Sequence, residues 1–345
     1  MREIGTREER MNADGTITEA CSRILYHGED GIVITGRTMD WFEDMHTSLW
    51  TFPAGMQRDG RAGRNSFSWT SQYGSVIASG YDNSTTDGMN ERGLVANVLW
   101  LAESVYPPYD GTRPGLSLSL WAQYVLDTYA NVEEAVSGLR NEEFVPRTPP
   151  VPGRGQDATV HLSLSDAAGD SAIIEYIDGN LAIHHDRSSI VMTNSPHYEK
   201  QLALNEYWIW FGSPQNLPGS VQAPDRFARA WYYTTRLPKT GDIQAAIAGV
   251  FSVIRNVSVP FGVQVPGQPN ISTTIWRTVA DHKRRVYFFE STMTPNIFWV
   301  EFDHIDLSFG APPKMLPVRP DIFYAGDTAR LFREAEPFVF LGVTP

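Results

Sequence analysis

The sequence predicts an α+β layered fold, on three observations. β-rich runs fall in three blocks along the chain, helical periodicity fills the two intervals between them, and 42% apolar residues over 345 positions suffice for a large core. Strands, helices, strands, helices and strands in that order fit two sheets covered by helices. A charged fraction of 20% and 23 prolines describe a compact, loop-rich globule, and no repeat, glycine-rich phosphate loop or low-complexity tract interrupts it.

The first block opens at residue 21. Two apolar runs, Ile24 to Tyr26 and Ile32 to Ile34, flank His27-Gly28-Glu29-Asp30-Gly31 and read as a hairpin. A turn centred on Glu29 and Asp30 makes paired residue numbers sum to about 59. Cys21 then lies opposite Thr38, with Arg37 and Asp40 beside it. Residues 42–72 read as irregular, with Arg61 to Asn65 a surface loop. Strands at Ser66 to Thr70, Ser75 to Ser79 and Gly93 to Leu101 extend the hairpin into a sheet. Val105 to Pro114 is a loop placed to border a pocket. Helices follow at Leu116 to Tyr129 and, capped by Asn131, at Val132 to Leu139. Val145 to Gln156, with four prolines and two glycines, is the best linker candidate, although two independent cores are not expected.

The second block has strands at Thr159 to Leu164, Ser171 to Ile177, Leu181 to His185 and Ile190 to Thr193, with Asp178-Gly179 as a hairpin turn. Gln201 to Phe211 carries Tyr207, Trp208, Trp210 and Phe211; exposed, it suits an apolar acyl chain, and buried, it is core. Asp225 to Leu237 and Ile243 to Arg255 have helical spacing. Strands return at Thr273 to Asp281, Arg285 to Glu290 and Ile297 to Phe302.

Composition excludes several functions. A net charge of −12 argues against nucleic acid as partner. No apolar run reaches the length of a spanning helix. One cysteine excludes an intrachain disulfide framework and any Cys-rich zinc site, and leaves the compartment, cytoplasmic or periplasmic, open. His161, His184 and His185 lack carboxylate or Cys spacing for a metal and are expected on a wet strand face, so neither metal nor cofactor is expected. Residues 1–20 lack the apolar centre of a secretory signal. They read as a polar propeptide, leader or misplaced start, ahead of a single domain over 21–345.

Chemistry concentrates at the hairpin mouth. A free thiol titrates near ~8.5, and a neighbouring guanidinium favours its thiolate. A nucleophile also needs a base. His27 lies at the far end of the hairpin and His46 past its end. The base therefore comes from elsewhere in the fold or is the α-amino group of Cys21, which titrates near ~8 once free. The second choice requires removal of residues 1–20, and Ala20 suits such a cut. Each residue also has a plain structural reading. Cys21 is then a small buried hydrophobe, Arg37 and Asp40 a turn ion pair, Asn194 the start of a turn, Arg226 a solvated or interdomain charge, and Trp41 and Trp100 core residues.

Cys21 with Gly36-Arg37-Thr38-Met39-Asp40-Trp41 resembles the choloylglycine hydrolase and penicillin V acylase family, N-terminal-nucleophile hydrolases of linear amides. The resemblance continues through Asp87-Gly88-Met89-Asn90-Glu91-Arg92-Gly93-Leu94, Met192-Thr193-Asn194-Ser195-Pro196, Asp225-Arg226-Phe227, Thr273 to Asp281, and Asn296 to Val300. It implies a four-layer αββα sandwich, a small N-acyl amide substrate, no cofactor, and a homotetramer. It implies that Cys21 is the nucleophile with its freed amine as base, Arg37 the cation beside the thiolate, and Asp40 the acceptor that orients the amine. Asn194 becomes the oxyanion donor and Arg226 the second active-site arginine. Trp100 departs from the Asn or Tyr of other branches. With Trp41 it is similar to a Gram-negative branch of penicillin V and acyl-homoserine-lactone acylases. An indole cannot replace the Asn amide at an oxyanion, so a backbone N–H at 100 has that task. The two indoles favour an acyl group with an aryl or long alkyl end. The alternatives are a conjugated bile salt hydrolase and, outside enzymology, an uncut inactive precursor or binding protein on the same scaffold.

Overall fold

The computed structural model describes residues 20–153, 155–211, 214–263 and 272–343. The hairpin forms as β1 (Ser22–His27) and β2 (Val33–Trp41). Ser22 pairs with Thr38 and His27 with Val33, one residue from the expected register, so the ladder carries Cys21 towards Met39. The slip comes from the turn. Gly28 N–H donates to Ile32 O at 2.8 Å, closing a wider loop. Asp30 (φ 54°) and Gly31 (φ 72°) take its left-handed positions.

The remaining strands of the two large sheets are β3 (Ser48–Phe52), β4 (Ser75–Gly80), β5 (Ser84–Asn90), β6 (Val95–Trp100), β7 (Val160–Ser165), β8 (Ser171–Ile177), β9 (Asn180–His185) and β10 (Val191–Met192). Then come β11 (Thr273–Asp281), β12 (Val286–Ser291), β13 (Ile297–Glu301), β14 (Lys314–Pro317), β15 (Gly326–Asp327) and β16 (Arg333–Glu334). The first sheet runs β10-β1-β2-β11-β12-β13-β15, and the second β9-β8-β7-β6-β5-β4-β3-β14-β16.

Helices α1 (Trp121–Thr128) and α2 (Val132–Leu139) cover the second sheet; α4 (Ala223–Thr234) and α5 (Ile243–Asn256) cover the first. α3 (Tyr198–Phe211) packs on α4. Asn131 caps α2 as its position predicts, accepting from Glu134 N–H at 2.9 Å. The result is a four-layer αββα sandwich. Strand alternation sorts the faces of β2. Gly36 is pressed against Val250 and Ile254 of α5, whereas Arg37 reaches Val98 O of the second sheet. Both faces are buried, so the whole of β2 reads apolar or paired.

Four expectations are corrected. The strands at 75–101 do not extend the hairpin's sheet; they build the second one. Ser66 to Thr70 shortens to Ser68–Thr70 and pairs only with Gln57–Asp59 in a separate ribbon. Residues 42–72 are not irregular throughout, because Ser48–Phe52 is a fully buried strand. Val145 to Gln156 is no linker: Val145–Arg147 pairs with Gly115–Ser117, and the following prolines approach the site described next.

Candidate active site

Cys21 stands immediately before β1 at the open end of the hairpin, buried at 4% exposure. Its Sγ receives the Asp40 N–H at 3.5 Å and lies 3.9 Å from both Arg37 Nη2 and Met39 Sδ. Burial is the largest influence on the thiol. It outweighs the Arg37 charge and pushes the thiol up to about 11. Arg37 acts in the direction expected, favouring the thiolate against the larger effect of burial.

Arg37 and Asp40 are three apart on a strand and leave it on opposite faces, so they do not form the turn ion pair. The Arg37 guanidinium points between the sheets. It donates to Val98 O at 2.8 Å, lies 3.7 Å from Asp87 Oδ2, and covers the Trp276 ring at 4.7 Å. Asp40 meets the sulfur only through its backbone. Its carboxylate accepts from Thr274 Oγ1 at 2.5 Å, and Oδ2 is buried without a hydrogen-bond partner among the described residues. Burial raises this carboxyl to about 6, against the pull of the Arg226 charge and the Thr274 hydroxyl.

Asn194 and Arg226 complete the cluster. Cys21 N–H donates to Asn194 Oδ1 at 2.7 Å, and Arg226 Nη2 donates to the same oxygen at 2.7 Å. Arg226 is fully buried, not solvated, and its Nη1 reaches Cys21 O and Ser22 Oγ, each at 2.6 Å. Asn194 Nδ2 donates to Trp100 O at 2.8 Å. Of its two amide hydrogens, one is left over. Val160, paired with Trp100 across β6 and β7, bonds instead to Tyr106 Oη (2.8 Å) and Ser104 Oγ (3.0 Å). The Trp100 backbone therefore faces the Asn194 side, N–H and carbonyl together.

The sulfur opens into a cavity of about 780 Å³, mouth included. Trp41 and Trp100 form one wall, with ring centroids 6.1 Å apart, and are at once wall and part of the buried core. Trp41 Nε1 donates to Tyr81 Oη at 2.7 Å, which fixes its indole. Pro149 to Pro152, Leu118, Val160 and Leu341 close the other sides. Thr85, Thr86 and Ser119 also line it, but their hydroxyls donate to Gln123, Ala78 O and Leu341 O. What faces the space is chiefly hydrocarbon.

The family model of linear amide C–N hydrolases, choloylglycine hydrolase family, matches residues 21–315. The chain belongs to that family. This choloylglycine hydrolase family member is 48% identical to the penicillin V acylase of Pectobacterium atrosepticum, over 96% of this chain and 95% of the relative. The structure of a penicillin V acylase from Agrobacterium tumefaciens superposes with a TM-score of 0.87 and 56% identity, covering 94% of this chain and 100% of that one. The bile salt hydrolase/transferase of Clostridium perfringens is a more distant relative, 24% identical over 79% of this chain and 89% of its own. A solved conjugated bile acid hydrolase from that organism shares the fold, with a TM-score of 0.74 at 20% identity over 88% of this chain and 99% of that one. The chain is thus a hydrolase of linear amide C–N bonds.

Cys21, Arg37, Asp40, Trp41, Trp100, Asn194 and Arg226 are brought together in this cluster, but several of its partners were missed. Met39, Asp87 and Thr274 sit inside quoted motifs with no role attached, and Tyr81, Pro149 to Pro152 and Leu341 carry no chemistry that sequence flags. Val105 to Pro114 is not among the residues lining the cavity. The aromatic run of α3 is exposed, with Trp210 at 90%, and does not line it either. His161 is not on a wet face: it is buried beneath Asn194. Among the described residues, two groups could offer a metal a His and two carboxylates, Glu133–Asp170–His185 and Glu301–His304–Asp327. Both lie outside the cavity and are already ion-paired.

Proposed function

We propose that the chain is an acylase for apolar N-acyl amides, acting through Cys21 once residues 1–20 are removed. The observation that supports it most is the thiol of Cys21 at the floor of a hydrocarbon-walled cavity, with its own nitrogen held by Asn194. As a peptide nitrogen, Cys21 N has no basicity. Freed by a cut after Ala20, it becomes an amine titrating near ~8 beside a buried thiol. The buried Asp40 carboxylate then gains an ammonium to orient.

Catalysis proceeds as follows. Sγ attacks the acyl carbon while its proton passes to the amine, and the carbonyl π pair moves onto oxygen. The remaining Asn194 Nδ2 hydrogen and the Trp100 N–H serve that oxyanion, a contact type worth about 3–4 kcal/mol of barrier. The C–N bond breaks, the amine of Cys21 returns its proton to the departing nitrogen, and a thioester remains. Water then adds with the same amine as base, the C–S bond breaks, and the thiol is restored. Arg37 lowers the cost of the negative sulfur.

Penicillin V and N-acyl-homoserine lactones rank ahead of conjugated bile salts as substrates. The two indoles, and the relative at 48% identity named a penicillin V acylase, support that order. The test is intact mass followed by turnover. Loss of residues 1–20 with Cys21 as new terminus, and hydrolysis of penicillin V reduced at least a thousandfold in Cys21→Ser, are expected. An uncut chain with no turnover on either amide class supports the precursor or binding-protein reading.

A further inference from the structure

We propose that His161, backed by Glu175, is a positioning residue for Asn194. The proposal rests on the reading of Asn194 as oxyanion donor. His161 belongs to β7 of the second sheet, and Thr193 follows β10 at the edge of the first. His161 Nε2 lies 2.8 Å from Thr193 O, and Nδ1 lies 2.9 Å from Glu175 Oε1. The bond therefore crosses between layers at the residue before Asn194.

The carbonyl of Thr193 shares a rigid peptide plane with Asn194 N and Cα. Holding that oxygen fixes where the Asn194 side chain starts. Gln201 Nε2 holds the next carbonyl, Asn194 O, at 3.0 Å, and Thr193 Oγ1 donates to Ala223 O at 3.1 Å. His161 is the one member of this set that reaches across from the opposite sheet, the sheet that also supplies Trp100. It thereby sets the distance between the two oxyanion donors.

Glu175 has no exposure, yet it is held down to about 2. Burial alone would raise it, but His161, His184 (3.4 Å) and Tyr198 N–H (3.1 Å) all supply hydrogen bonds to its oxygens. Each nitrogen of His161 faces an acceptor oxygen, so both bonds form while both nitrogens carry a proton, and the ring then cannot flip without losing one. A buried, fully bonded pair of this kind is costly to disturb and specifies one geometry. It touches neither the sulfur nor the cavity, so substrate binding does not need it.

The test compares His161→Leu, His161→Gln and Asn194→Ala, singly and as the Leu/Ala double variant, on enzyme cut before Cys21 and acting on penicillin V. An oxyanion exists only on the way to the tetrahedral intermediate, so its loss falls on kcat. His161→Leu is expected to lower kcat roughly 10- to 100-fold. KM should stay within about twofold. His161→Gln, whose amide can still donate to Thr193 O, should recover part of the loss and carries the test if the Leu variant does not fold. In the Asn194→Ala background the His161 change should add less than about twofold, since both act through one group. Wild-type kcat in folded His161→Leu, or in His161→Gln where the Leu variant does not fold, or a full additional loss in the double variant, overturns the proposal while leaving the oxyanion reading intact. Wild-type kcat in Asn194→Ala overturns both.

Discussion

Asp40 illustrates how a residue can be legible in sequence and still misjudged in state. Its place beside Cys21 follows from the hairpin, but its environment does not, because Thr274 and Arg226 come from more than 180 residues further along the chain. Burial raises this carboxyl from its ordinary 3.8 to about 6. Between those values the folded uncut chain holds more protons than the unfolded one, so Asp40 costs stability as pH rises through the window. The full shift corresponds to roughly 2–3 kcal/mol. Asp40→Asn in the uncut chain is expected to flatten the fall in unfolding free energy between pH 4 and 7, measured by urea denaturation, while abolishing turnover in the cut enzyme. An unchanged pH slope in that variant rules out Asp40 as its source. Cys21, Arg37, Asn194 and Arg226 were all found by motif. The burial of the sulfur was not, since it depends on side chains from the opposite sheet.

At the scale of elements, local signals succeeded where one segment decides and failed where packing does. The α2 helix and its Asn131 cap fall as read, as do Ser171–Ile177 and Thr273–Asp281. Ser48–Phe52 was missed because five residues between polar and glycine-rich stretches give too short a pattern to stand alone. The hairpin register slipped by one because its loop is wider than a two-residue turn. Gly36 is the position where β2 meets α5. A Cβ there would lie 2.7 Å from Val250 Cγ1 and 2.8 Å from Ile254 Cγ2, both on side chains with no exposure. Gly36→Ala is expected to destabilise the fold by about 1–3 kcal/mol through overpacking. A thermal melt is the measurement, and an unchanged midpoint contradicts such tight contact.

For the whole molecule, order of strands and helices along the chain was enough to foresee layers, but not how the layers are joined. Buried polar side chains stitch the two sheets together. Arg23 of β1 donates to Leu164 O at 3.2 Å and to Ser171 Oγ at 3.2 Å; Thr35 Oγ1 lies 2.7 Å from Ser165 Oγ; and Tyr287 of β12 donates to Asp87 of β5. Such contacts make neither sheet a free-standing unit, so we expect one cooperative transition in denaturant. Far-UV circular dichroism and tryptophan emission should give coincident midpoints. Two separated transitions would divide the 21–345 unit.

Leu341 lines the cavity, and its carbonyl accepts from Ser117 Oγ at 2.7 Å and Ser119 Oγ at 2.8 Å, while Cys21, just before β1, lines it from near the other end of the described chain. The first and last described stretches of the polypeptide thus flank one opening. A surface tether placed beside Leu341 would crowd the entrance. The exposed bend at Asp110-Gly111, where an added Cβ meets nothing within 4 Å, offers a safer anchoring point for an immobilised biocatalyst.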